Sequence, residues 1–168
     1  MAITISGSSP SFTTYQGGVV TSMTAQASTS GTSIDFTSIP SWAKRVTVML
    51  NGVSTSGTSA VRFQLGAGSV QTTGYISASQ NGTTGTGPTT AGFDISNFTS
   101  ASDLRYGCIT FVNINGNNWA GTGIFTQSSL VLLMAGIVAL SGTLDRVRIT
   151  TAGGTDTFDA GSINILYE

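Results

Sequence analysis

Histidine does not occur in these 168 residues, and cysteine occurs once, as Cys108. A Ser-His-Asp or Cys-His nucleophile system therefore cannot be assembled from this chain. A single cysteine also excludes an internal disulfide and a cysteine-based zinc site. Charge is nearly as scarce: Asp, Glu, Lys and Arg make up 8% of the chain, against roughly 25% in an ordinary soluble domain. The cations Lys44, Arg45, Arg62, Arg105, Arg146 and Arg148 form no basic stripe, and the net charge is -1. Nucleic acid is therefore not an expected partner. The longest apolar run, Leu130 to Leu140, has 11 residues, short of the ~20 that a membrane helix needs. It reads as buried core, with no membrane insertion. Met1 to Ser6 lacks the positive and apolar regions of a secretory signal, so synthesis in a cytoplasm is the expectation.

What is abundant is hydroxyl and glycine. With 23 Ser, 27 Thr and 22 Gly, these three types supply 72 of the 168 residues, so the surface is expected to be hydroxyl-rich instead of ionic. The 39% of hydrophobic residues, placed in regularly spaced runs, gives the chain enough apolar surface to fold, which excludes disorder. Its length suits one domain with a substantial core. Surfaces of this composition are common on extracellular β proteins and virion surface proteins.

Alternation of apolar and polar residues marks strands along the chain. Ser33 to Phe36 and Val61 to Leu65 read this way, and Arg45 to Leu50, Tyr75 to Ala78, Phe93 to Ile95, Leu104 to Ile114 and Trp119 to Phe125 read as further strands. Asn51-Gly52 reads as the close of a strand, and Leu104 to Ile114 as a strand whose centre is buried on both faces, taking Cys108 in as a small hydrophobe. Gln80 to Thr90 reads as an exposed loop, and Gly121 and Gly123 as a strand interruption or bulge. In the last stretch, Val147 and Ile149 alternate with Arg146 and Arg148, and Ile163, Ile165 and Tyr167 with Ser162 and Asn164. Gly153-Gly154 between the two runs predicts a β-hairpin. About ten short strands with no helix predict an all-β fold, an antiparallel, jelly-roll-like β-sandwich over residues 33–168. Residues 1–32, with weak strand at Ile3 to Ile5 and Phe12 to Tyr15 and a small polar stretch from Ser22 to Ser33, read as an N-terminal arm.

Few residues offer chemistry. Of the seven acids, Asp35, Asp94, Asp103, Asp145, Asp156, Asp159 and Glu168, only Asp156 and Asp159 lie close in sequence. A glycosidase needs two carboxylates flanking a bond, but Asp in such a segment ordinarily serves a turn, and the expectation is that the chain is not an enzyme. P-loop, dinucleotide and EF-hand patterns are absent. Gly153-Gly154-Thr155-Asp156 matches part of a calcium-binding glycine-aspartate repeat, but those repeats act in multiple copies and it occurs once. No cofactor or metal is expected. Asn81-Gly82-Thr83 and Asn97-Phe98-Thr99 match the glycosylation sequon and are read as chance in a Thr-rich chain. For sugar binding, an aromatic face beside amides is the useful combination. Asn115, Asn117, Asn118 and Trp119 supply it on one turn and are the candidate ligand-binding residues.

Asp35-Phe36, Ile39-Pro40-Ser41-Trp42, Lys44-Arg45-Val46-Thr47-Val48, Asn51-Gly52-Val53-Ser54, Thr73-Gly74-Tyr75 and Asp156-Thr157-Phe158-Asp159-Ala160-Gly161-Ser162 together span most of residues 33–168. In these segments the chain resembles a domain of tailed-phage and prophage proteins that often ends tail fibres. The resemblance implies a virion structural protein, made in the host bacterial cytoplasm and assembled with itself as a homotrimer. It would attach to other virion proteins through the N-terminal segment and present loops to a host receptor or glycan. A capsid decoration or cement protein is the alternative in the same setting, and a carboxylate-dependent polysaccharide depolymerase the third. The resemblance carries no catalytic or ligand residues with it.

Overall fold

The computed structural model describes residues 20–81, 85–95 and 100–168, and among these there is no helix. The strands, in chain order, are β1 (Thr21–Ser22), β2 (Gln26–Ala27), β3 (Ser33–Thr37), β4 (Arg45–Thr55), β5 (Val61–Ala67), β6 (Ser69–Val70) and β7 (Tyr75–Gln80). They continue as β8 (Gly85–Thr89), β9 (Phe93–Ile95), β10 (Arg105–Asn115), β11 (Asn118–Gln127), β12 (Leu130–Ala139), β13 (Arg146–Thr151) and β14 (Phe158–Tyr167). All pairings are antiparallel. A nine-stranded sheet runs β1-β14-β4-β10-β11-β12-β7-β8, with β2 also on β14, and a five-stranded sheet runs β3-β13-β5-β6, with β9 also on β5. The all-β expectation is met, with more strands than the sequence pattern separates. The nine-plus-five division differs from the eight strands of a jelly roll.

The two sheets face each other across one core. Phe63 on β5 stacks with Phe125 on β11 at 5.7 Å, and Phe93 on β9 meets Phe111 on β10 at 5.1 Å and Tyr75 on β7 at 5.4 Å. Each contact links one sheet to the other. The glycines of β11 make room for these rings: a Cβ on Gly121 would lie 2.9 Å from both Phe111 and Phe93. So β11 is a regular ten-residue strand and Gly121 and Gly123 do not interrupt it. Tyr75 is fully buried, and its hydroxyl accepts from the Leu65 amide at 2.9 Å and donates to the Gln71 carbonyl, also at 2.9 Å.

Two glycines shape the long strands. Gly52, at φ 66, is a bulge within β4, which continues to Thr55, so Asn51-Gly52 does not end the strand. Gly161, at φ 90, lies opposite it on β14, and a Cβ there would collide with the Gly52 carbonyl. Only glycine satisfies both the left-handed backbone and the close approach.

The final stretch departs from the hairpin reading. β13 pairs with β3 and β5 in the small sheet, while β14 pairs with β1, β2 and β4 in the large one. The segment between them carries the chain from one sheet to the other, held by Ser56 and Ser59: the Ser56 amide donates to the Thr157 carbonyl at 2.8 Å and the Ser59 amide to Asp156 at 2.9 Å. The alternation itself is correct, because Val147, Ile149, Ile163 and Ile165 are all buried.

Residues 20–32, read as a polar arm, are tied into the large sheet where they are described. Thr21 and Ser22 pair with Tyr167 and Leu166, Gln26 and Ala27 pair with β14, and the buried Ser28 donates its hydroxyl to the Ala160 carbonyl at 2.8 Å. Ile3 to Ile5 and Phe12 to Tyr15 lie outside the described residues, as does the sequon at Asn97 and most of that at Asn81. Within the stretch read as a loop, Gly85–Thr89 forms the edge strand β8 on β7.

Candidate functional site

The turn between β10 and β11 places Asn115, Asn117, Asn118 and Trp119 together but does not build the sugar platform expected of them. Trp119 points to the core side of β11 and keeps 3% of its surface exposed. Its parity along the strand is shared with Gly121, Gly123 and Phe125, so the ring faces the small sheet. The neighbouring amides hold the turn: Asn118 Nδ2 donates to Asn115 Oδ1 at 2.7 Å, and Asn113 Nδ2 donates to the Gly116 carbonyl at 2.9 Å. The Asn117 carbonyl accepts from the Leu140 amide at 3.0 Å.

The acidic pair is likewise taken up by structure, though not by its own turn. Asp156 accepts from the Ser59 amide, and Asp159 accepts from the Ser54 hydroxyl. Asp159, with Asp103, is also an electrostatic counterpart of Arg105, whose side chain is wholly inside the protein and donates to the Val53 carbonyl at 3.3 Å. Burial pulls the Arg105 guanidinium down to about 10, and the two carboxylates oppose that pull. Among the described residues there is no cluster of three or more His, Cys, Asp or Glu side chains that could hold a metal ion.

The large sheet's outer face is the most distinctive surface of the molecule. Register aligns the outward side chains of β10, β11, β12 and β7 into rows across the strands. One row is Tyr106, Thr126 and Val131; the next is Cys108, Ile124, Leu133 and Gln80. Then come Thr110, Thr122, Ala135 and Ala78, followed by Val112, Ala120, Ile137 and Ile76. Large side chains thus stand on both sides of a row of small ones. An open depression of about 650 Å³ lies where the small row meets Cys108, Ile124 and Leu133.

None of these fifteen side chains carries a charge, and exposure is high: Ile76 is 66% exposed and Ile124 59%. This corrects three expectations. The apolar run Leu130 to Leu140 is not buried throughout, since Leu132, Met134 and Val138 face the core and Val131, Leu133 and Ile137 face outward. The centre of β10 is buried on one face only, by Ile109 and Phe111. Cys108, on the other face, is exposed. The signal was present in the sequence as strands whose two parities are both apolar, a pattern that also describes a strand buried on both faces. Scattered exposed hydrophobes are ordinary, but contiguous patches of several hundred Å² mark interaction surfaces.

The small sheet's outer face is its opposite. Arg62 makes a bidentate pair with Asp94 at 2.7 and 2.8 Å, and Arg148 one with Asp35 at 2.7 Å on both arms. Asp145 binds Arg146 at 2.7 Å, a contact that holds the Asp145 carboxyl below its usual 3.8. In the described residues, three of the four ion pairs lie on this side, and the fourth, Arg45 with Glu168 at 2.7 Å, lies on the large sheet's outer face, where Arg45 opens β4 and is registered on Val112.

No family model, no curated protein and no solved structure matches this chain.

Proposed function

We propose that the chain is a non-enzymatic structural module of a tailed-phage virion, of the tail-fibre type, standing on the particle surface as a homotrimer and presenting hydroxyl-rich loops to the host. The observation that carries this reading is where the segments of resemblance fall in the fold. Asn51-Gly52-Val53-Ser54 and Asp156 to Ser162 lie against each other across the β4–β14 bulge, joined by the Ser54–Asp159 hydrogen bond. Asp35 holds Arg148, and Trp42 packs on Tyr167 at 5.6 Å. These are scaffold positions, which fits a shared architecture more readily than a shared reaction. Residues ahead of Val20 are proposed to attach the module to other virion proteins.

A capsid decoration protein is the second reading, and the burial of Trp119 favours it, because it removes the aromatic platform on which glycan recognition was expected. Imaging purified particles with a bound antibody fragment separates the two. Label at the tail end supports the fibre reading, label spread over the head supports decoration, and absence from the particle overturns both. A polysaccharide-cleaving activity that disappears in a folded Asp159→Asn variant would contradict the non-enzymatic reading.

A further inference from the structure

We infer that the outer face of β10, β11, β12 and β7 is the surface on which copies of this chain meet each other. The inference needs the face alone and not the virion reading. Four strands at ~4.8 Å and about ten residues at ~3.3 Å give a footprint of roughly 600 Å² before side-chain relief is counted. That is of the order of the ~800 Å² per partner that a stable interface covers.

Charge selects the partner. Over these four strands the face is neutral, the row through Val112 reaching a charge only at Arg45 on β4, which Glu168 pairs. Whatever covers the four strands must therefore also be neutral there, because an unpaired charge pressed against them would lose its water. The chain's other broad face carries Arg62, Arg146 and Arg148 with their carboxylates and does not meet this condition. The same face on a second copy does. Its relief is suited to itself as well, since the row Thr110, Thr122, Ala135 and Ala78 is a trough beside ridges carrying Ile124 and Ile137, and ridges of one copy can enter the trough of another.

The sheet's edges leave the face as the route of association. At one edge β8 carries Pro88 and an irregular register with β7, and at the other β1 and β2 are two residues each. Short or proline-bearing edges resist strand addition. The width also permits closure: three faces ~19 Å wide around an axis place each sheet about 5.5 Å from it, half of the ~10 Å at which sheets pack. Two copies face to face meet the same spacing.

Cys108 lies within the face and is the chain's only cysteine, so its reaction with a maleimide reports whether the face is covered. The test measures native mass and Cys108 labelling on the same full-length sample. A mass of two or three copies with Cys108 protected is the expected result. A monomer with reactive Cys108, a monomer with protected Cys108 (the face covered by the chain's own N-terminal residues), or an assembly with reactive Cys108 would each overturn the inference. Ile124→Lys and Ile76→Lys, at side chains that the core does not use, should each give folded monomers with at least tenfold faster labelling. Thr72→Lys, exposed on the small-sheet side, should leave mass and labelling unchanged.

Discussion

The outward positions of β13 and β5 hold Arg146, Arg148, Arg62 and Gln64, while those of β11 and β12 hold Ile124, Thr122, Leu133 and Ile137. Both sets stand on antiparallel strands with the same core behind them. On the small sheet, cross-strand neighbours are complementary charges: Asp35 is registered on Arg148 and Arg62 on Asp94. On the large sheet, cross-strand neighbours are apolar: Ile124 is registered on Leu133 and Ile137 on Ile76. Cross-strand pairing stabilises a sheet by either chemistry. What differs is the medium each face suits, water for the first and another protein surface for the second. In a chain with 8% charged residues, placing three of the four ion pairs among the described residues on one side leaves β10, β11, β12 and β7 on the other free to be neutral.

Adjacent residues on one strand provide the sharpest way to break this comparison. Leu132 is 1% exposed and Leu133 46%. Leu132→Ala is expected to cost ~2–5 kcal/mol in chemical denaturation, the range for emptying a core site. Leu133→Ala is expected to change the stability of the isolated fold by under ~1 kcal/mol and to weaken self-association. Equal losses of fold stability would show that the two parities of β12 share one environment. Trp119→Ala should behave like Leu132→Ala, at ~3–5 kcal/mol, which checks the corrected placement of that ring.

Much of this architecture is legible in the sequence, because strands announce themselves by period. β5, β9, β10 and β14 fall where the sequence reads strands, β4 begins where expected but runs on to Thr55, and Val147, Ile149, Ile163 and Ile165 face inward. The failures have physical reasons. Gly153-Gly154 marks a reversal but not the sheet that the returning strand joins, so β13 and β14 read as partners although they lie in opposite layers. A strand with two apolar faces reads alike whether the second face meets core or solvent, which hid the exposure of Leu133 and Cys108. Asn115 to Asn118 reads as a turn and is one, and the inward direction of Trp119 follows from its parity with Phe125, which the sequence also carries.

Smaller effects sharpen the polar side. Arg62→Ala strands the Asp94 side chain, which is 7% exposed, and should cost about 2–3 kcal/mol, between surface and buried ion pairs. Arg148→Ala breaks a pair in which both side chains are 37% exposed and should cost under ~1 kcal/mol. Urea titrations of both variants rank them, and a reversed order would contradict the burial argument.

Tyr75→Phe leaves the Leu65 amide without its hydroxyl acceptor inside the core and should cost ~1–3 kcal/mol. Burial raises the Tyr75 phenol from 10.0 to about 12. The native state therefore holds a proton that the unfolded chain releases between these values. Its contribution is fully present below pH 10 and lost as the pH climbs to about 12. Alkaline titration of stability should be shallower over that interval in Tyr75→Phe. The smallest effect belongs to Asp145, whose carboxyl is held down by Arg146. Its contribution is present above pH 3.8 and fades as the pH falls through the lower native value, so Asp145→Asn should flatten the acid limb slightly.

The contrast between the faces is tested most directly by following the rate of Cys108 modification across a dilution series of the full-length protein. If the neutral face is where copies meet, the rate is slow at high concentration and rises on dilution in step with the loss of native mass. A rate that stays constant while the assembly comes apart would contradict it, because the cysteine would then lie on a surface that no copy covers.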